Sequence, residues 1–71
     1  MKMTYSPHIN AAYLYLRERG RSVGTPEAAP GVILDFDSKG RLLGIEFLDA
    51  RHHIPRRTLA KAILQPMPKG A

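Results

Sequence analysis

Between Gly31 and Leu48 the chain carries two apolar-rich runs, Val32-Ile33-Leu34-Asp35-Phe36 and Leu42-Leu43-Gly44-Ile45-Glu46-Phe47-Leu48, separated by Asp37-Ser38-Lys39-Gly40. β-branched and aromatic residues suit a pleated, half-buried surface. Asp at the first turn position and Gly at the fourth suit a type I turn, with Gly40 supplying the left-handed residue of a following bulge. The pattern predicts a hairpin over 31–48 in which Asp37 faces Arg41, Phe36 faces Leu42, Leu34 faces Gly44 and Val32 faces Glu46. In that register Val32, Leu34, Phe36, Leu42 and Leu48 lie on one side around Gly44 and Glu46. Ile33, Leu43, Ile45 and Phe47 lie on the other with Asp35, which ends in Asp37 and Arg41. A half-solvated antiparallel sheet shows one polar face; this register shows none, so both faces need cover.

The flanking segments add smaller elements. Lys2–Tyr5 reads as a short strand, Ser6-Pro7-His8-Ile9-Asn10 as a turn, and Ala11–Arg17 as a second strand with Tyr13 and Tyr15 on one side. Pro26 and Pro30 confine any strand between Val23 and Pro30 to a sheet edge, because proline donates no ladder hydrogen bond. Pro55 suits a first helical turn and Pro66 stops propagation, which predicts a helix over about 55–65 with Leu59, Ala62 and Ile63 as its apolar stripe. The expected architecture is α+β: about four antiparallel strands, the central hairpin 31–48 and one C-terminal helix. A single domain over 1–66 is followed by a short flexible tail, 67–71. The helix caps one face of the hairpin, and elimination assigns the other to a partner subunit, most simply in a homodimer.

Composition sharpens the need for a partner. The chain has 71 residues and no cysteine, so disulfides and thiolate metal sites, the usual aids of small domains, are unavailable. At 44% apolar and 24% charged residues it has the make-up of a globular chain. Its longest unbroken apolar run, Ala11 to Leu16, is far short of the roughly 20 residues of a membrane helix, so a cytoplasmic protein without membrane contact is expected. The net charge of +5 is concentrated at one end. Up to residue 50, Lys2, Arg17, Arg19, Arg21, Lys39 and Arg41 balance Glu18, Glu27, Asp35, Asp37, Glu46 and Asp49. Beyond it Arg51, Arg56, Arg57, Lys61 and Lys69 meet no acid.

Few residues invite chemistry. Asp35 and Glu46 are the one carboxylate pair in an apolar setting, as general acid catalysis would want. The predicted register points them to opposite faces with about 10 Å of strand between them, too far for such a pair. Asp35 and Asp37 are read as turn caps and cross-strand partners of Arg41. Glu46, on an apolar face, calls for an arginine or backbone donors, which a neighbouring subunit could supply. His52-His53 cannot easily chelate one ion from adjacent strand positions, and with His8 as the only other histidine no metal or other cofactor is expected. No glycine spacing forms a phosphate loop and no serine sits in a nucleophile elbow, so catalysis is not expected. The candidate binding surface is basic: Arg51, His52, His53, Arg56, Arg57 and Lys61, suited to an acidic protein or to phosphates. No nucleic-acid-binding motif accompanies it.

Two stretches resemble a known family. Tyr5 followed by a turn and Asn10-Ala11-Ala12-Tyr13-Leu14-Tyr15-Leu16, and then Val32 to Ala50 with Asp35, Asp37, Gly40, Gly44 and Glu46 as its structural signature, are similar to the bacterial proteins grouped as domain of unknown function 2283 (DUF2283). The likeness runs over roughly residues 1 to 59. It implies a small α+β domain with an antiparallel sheet and a C-terminal helix, and no activity. Some relatives are regarded as antitoxins beside small ribonuclease-like toxins, which implies a protein-interaction module, antitoxin-like, acting as a homo-oligomer. The alternative is an accessory nucleic-acid-binding protein using the basic C-terminal segment. Ser6 and Asn10 stand where the family usually has acids, so any chemistry those acids serve does not carry over to this chain.

Overall fold

The computed structural model of the chain describes residues 1–65. The expected tail 67–71, with Lys69, and the stop at Pro66 lie outside the described residues. Among the described residues six strands form one sheet: β1 (Lys2–Ser6), β2 (Ala11–Tyr15), β3 (Glu27–Ala29), β4 (Val32–Phe36), β5 (Leu42–Leu48) and β6 (Ile63–Leu64). They lie in the order β3-β4-β5-β2-β1-β6. Two single-turn helices, α1 (Ala50–His53) and α2 (Arg56–Leu59), fall between β5 and β6. The α+β class fits, with six strands in place of about four. The short edge strand between Pro26 and Pro30 is β3, paired only to β4.

The helix expected over 55–65 is one turn long. A ten-residue helix is marginal on its own, and here the outer edge of β1 offers unpaired backbone groups. After two tight turns, Lys61 N to Thr58 O and Ala62 N to Leu59 O, the chain pairs with that edge instead. Gln65 N donates to Tyr5 O at 2.8 Å, and Ile63 and Leu64 stand beside Thr4 and Tyr5 in parallel. Ile63 therefore leaves the helical stripe and lies on the sheet.

The hairpin turn forms as its residues dictate. Gly40 adopts φ 76°, Gly40 N donates to Asp37 O at 3.0 Å, Asp37 N to Arg41 O at 2.9 Å, and Phe36 pairs with Leu42. Beyond that pair the register departs from expectation. A bulge leaves Leu43 unpaired, so Asp35 faces Gly44, Leu34 faces Ile45, Ile33 faces Glu46 and Val32 faces Phe47. The extra residue is held from outside the hairpin: Leu43 O accepts both Leu16 N–H and Arg17 N–H at 2.9 Å.

Because side chains alternate along a strand, this one-residue slip re-sorts the whole sheet. One face carries the cross-strand rows Met3–Leu14–Ile45–Leu34 and Leu64–Tyr5–Ala12–Phe47–Val32, every one of them apolar or aromatic. The opposite face carries Lys2–Tyr15–Gly44–Asp35 and Ile63–Thr4–Tyr13–Glu46–Ile33. The hairpin thus has a mixed polar side after all. The core lies on the apolar side, where Ala50, Ile54 and Leu59 pack onto Tyr5 and Ala12, flanked by Met3, Phe47 and Ala62. It is thin. Ala50 is fully buried, but among the described residues no large side chain is.

Candidate functional site

The chain assembles its site where β5 runs into α1. Asn10 and Asp49 both adopt the left-handed conformation at φ 52°, which Asn and Asp tolerate better than other side chains. Asn10 Nδ2 donates to Asp49 Oδ1 at 3.0 Å, while Asn10 Oδ1 accepts from Tyr5 Oη at 3.0 Å and from Arg51 N at 3.1 Å. Asn10 O also accepts Ala50 N–H at 2.9 Å. One asparagine so fixes both Tyr5 and the start of α1.

That arrangement opens a groove of about 550 Å³ between α1, α2 and the β1–β6 edge. Its floor is Tyr5, Ile54, Leu59, Ala60 and Leu64, and its rim carries Arg51 and Arg56. Neither arginine has an acidic partner within ion-pair distance among the described residues, where the single ion pair is Arg41–Asp37. An apolar trough beside two guanidinium groups suits a ligand that is greasy and anionic at once.

The six residues of the sequence-derived binding surface do not stay together. Arg51 and Arg56 share the groove. Lys61 lies at a second hollow of about 350 Å³ with Met1, Met3, Leu14 and Phe47. His52 and His53 sit at the far end of α1 beside Ala29, Pro30 and Asp49, and Arg57 is exposed on α2. The two histidines are not equivalent solvent-facing groups. His53 is half-buried with its ring 6.2 Å from that of Phe47, and His52 meets it edge-on at 5.0 Å. Among the described residues no three metal-ligating side chains converge, and no helix is long and apolar enough to cross a membrane.

The signature residues resolve into two structural devices. Asp37 is buried under its turn: Oδ1 accepts from Lys39 N and Arg41 N at 2.9 Å, and Oδ2 pairs with Arg41 Nε at 2.9 Å. The backbone N–H of Arg41, helped by its guanidinium and by Lys39 N–H, holds the Asp37 carboxyl below its ordinary range against the opposing effect of burial. Asp35 does not pair with Arg41. It accepts from Tyr13 Oη at 2.6 Å and from Ser22 Oγ. Burial, together with that carboxylate, pushes the Tyr13 phenol well above its usual range.

Asp35 and Glu46 lie on the same face, not on opposite ones, because of the bulge at Leu43. Asp35 is engaged by its two hydroxyl partners. Glu46, half-buried beside Tyr13 and Ile33, meets neither the arginine nor the backbone donors expected for it among the described residues. Tyr13 and Tyr15 do share a face, with ring centroids 4.6 Å apart.

The sequence named Arg51 and Arg56 but not the groove floor. Leu64 reaches it only through the capture of β6 beside Tyr5, which no local pattern announces. Asn10 left a faint signal as a residue tolerant of positive φ at the end of a turn.

Comparison with protein families gives one result. Residues 2–51 match the family described as Protein of unknown function (DUF2283). The chain belongs to that family. The match spans β1 through the start of α1, including both signature stretches, and stops short of the residue 59 expected from the resemblance. The groove therefore straddles it: Tyr5 and Arg51 fall inside, while Ile54, Arg56, Leu59 and Leu64 fall in this chain's own C-terminal segment. No curated protein and no solved structure matches the chain.

Proposed function

We propose that this DUF2283 protein is a non-catalytic interaction module whose arginine-rimmed groove captures a protein segment bearing an apolar side chain next to carboxylates. The observation that carries this reading is the pairing of an apolar floor, Tyr5, Ile54, Leu59 and Leu64, with Arg51 and Arg56, neither of which has an acid beside it among the described residues. The apolar anchor supplies affinity by desolvation and the two arginines supply orientation and choice of sign. The occupied state of Asp35 and Asp37 supports a role without acid–base chemistry, since both carboxylates are spent on holding the sheet. An antitoxin-like role is the specialised form of this reading. With a net charge of +5, it calls for a partner whose contact surface is acidic.

Fluorescence anisotropy tests it with labelled peptides of alternating Leu and Glu or alternating Leu and Lys, and with a single-stranded RNA. The Leu/Glu peptide binds best, and Arg51→Glu with Arg56→Glu weakens it by about tenfold or more, as loss of charge-assisted contacts requires. Equal binding of both peptides sinks the proposal. Preferential, steeply salt-dependent RNA binding would favour the nucleic-acid reading instead.

A further inference from the structure

We infer that the sheet face opposite the helices is the seat of a second copy of this chain, packed face to face about a two-fold axis running along β2 beside Tyr13. The inference is independent of the groove, which lies on the other side of the sheet. It starts from the cross-strand row Ile63–Thr4–Tyr13–Glu46–Ile33. Read from either end about Tyr13, the row runs isoleucine, then a polar group, then the ring. A two-fold axis along the strands exchanges the two halves of the row. It sets Ile63 over Ile33 of the partner subunit, Thr4 over Glu46 of the partner subunit, and the Tyr13 backbone over its own copy, each Tyr13 ring lying across the Gly44 of its own sheet. A surface that meets itself must be self-complementary under this operation.

Charge obeys the same operation. Lys2 stands on β1, with its ammonium 4.5 Å from the Tyr15 ring centre and no acidic partner among the described residues. Glu46 stands two strands away on β5, half-buried and without a hydrogen-bond donor among the described residues. The axis along β2 exchanges β1 with β5 and sets Lys2 over Gly44 of the partner subunit, one row from Glu46 of the partner subunit, so the lysine stem meets the uncompensated carboxylate along the diagonal.

An axis along β2 overlaps β1, β2 and β5 over five residues each and β4 with β6 over two, leaving β3 outside, which at about 4.8 Å spacing and about 3.4 Å per residue gives roughly 300 Å² of flat face. Side-chain relief adds to this, and the contact is of the small, weak class below the ~800 Å² per partner of a standard interface. Exposed Ile63 and Leu48 supply apolar contact at its margins. The product is a two-sheet sandwich of the aligned kind.

Sedimentation velocity of the full chain at about 5 and 100 µM, bracketing a micromolar dissociation constant, tests this, with circular dichroism melts confirming that each variant folds. The native chain sediments as a dimer. Glu46→Lys, Lys2→Glu and Ile63→Glu each raise the dissociation constant by about tenfold or more, as buried like charges or an unpaired carboxylate require. Combining Lys2→Glu with Glu46→Lys restores it to within about threefold, the signature of a direct pair. Arg57→Glu, on the helical side, leaves it unchanged. A folded monomer throughout that range, or a dimer indifferent to both Glu46→Lys and Ile63→Glu, overturns the inference.

Discussion

Tyr13 on β2 reaches over the intervening strand β5 to place its hydroxyl 2.6 Å from Asp35 Oδ2 on β4. The crossing is possible because the residue beneath the ring is Gly44. A Cβ there would stand 2.5 Å from Tyr13 Cε1 and 2.5 Å from Leu14 O. The absent side chain is what lets three strands share one hydrogen bond.

Gly44→Ala consequently forces either the tyrosine or the β2 backbone to move. The expected cost is about 2 kcal/mol, within the range for overpacking a filled site. Urea unfolding followed by tyrosine fluorescence reads it, and a midpoint equal to that of the native protein would refute the close approach.

Tyr13→Phe keeps the ring over Gly44 and removes the bond to Asp35, which lowers stability at pH 7 by about 1–2 kcal/mol. Its pH signature is sharper. The folded state raises the phenol's pKa above the ordinary 10.0, so it favours the protonated form. That stabilisation is whole below pH 10 and drains away as pH rises from there toward the folded value. The gap between native protein and variant therefore narrows above pH 10, and denaturation curves at pH 8, 10 and 11 decide it.

Asp37 titrates with the opposite sign. Its folded pKa lies below the ordinary 3.8, so its contribution is present above that pH and is lost as pH falls through the folded value. Asp37→Asn lowers the melting temperature at neutral pH and flattens the acid limb of the stability profile. Parallel acid limbs in thermal melts from pH 2 to 6 would contradict the arrangement.

Asn10→Ala deletes the side chain shared by Tyr5, Asp49 and Arg51. With about 1 kcal/mol for each hydrogen bond lost, the expected destabilisation is about 2–3 kcal/mol. Amide exchange of Ala50 and Arg51 accelerates more than that of β4 if Asn10 pins α1.

Gly40→Val isolates backbone strain, because a Cβ at Gly40 would have open space around it and only its φ of 76° opposes a side chain. A loss of about 1 kcal/mol or more in equilibrium unfolding is expected.

What the sequence disclosed divides cleanly by range of interaction. The turn from Asp37 to Arg41 was legible because it is closed by its own residues: the carboxylate caps two following amides and Gly40 takes the positive φ. The shared face of Tyr13 and Tyr15 was legible because it follows from strand alternation alone. Three features were not, and all are set by distant partners. The bulge at Leu43 depends on amides from residues 16 and 17, at the end of another strand. The strand at Ile63–Leu64 exists because β1 has a vacant edge, against the local preference for helix. The groove inherits both omissions, since its floor joins Tyr5 to Leu64 while Arg51 is positioned by Asn10. A short apolar run with charged neighbours reads alike in either register, so only tertiary contacts decide which residues face inward.

The bulge carries a consequence for the arithmetic of the chain. Inside and outside on β5 are assigned by parity, and Leu43 is the residue that changes odd to even. Closing the bulge, with Leu43 paired to Asp35, would leave the amino-acid content untouched while turning Glu46 toward Ala50 and Ile54 and moving Phe47 to the opposite face. For this protein, sidedness is a matter of counting, and one carbonyl gripping two amides keeps the count.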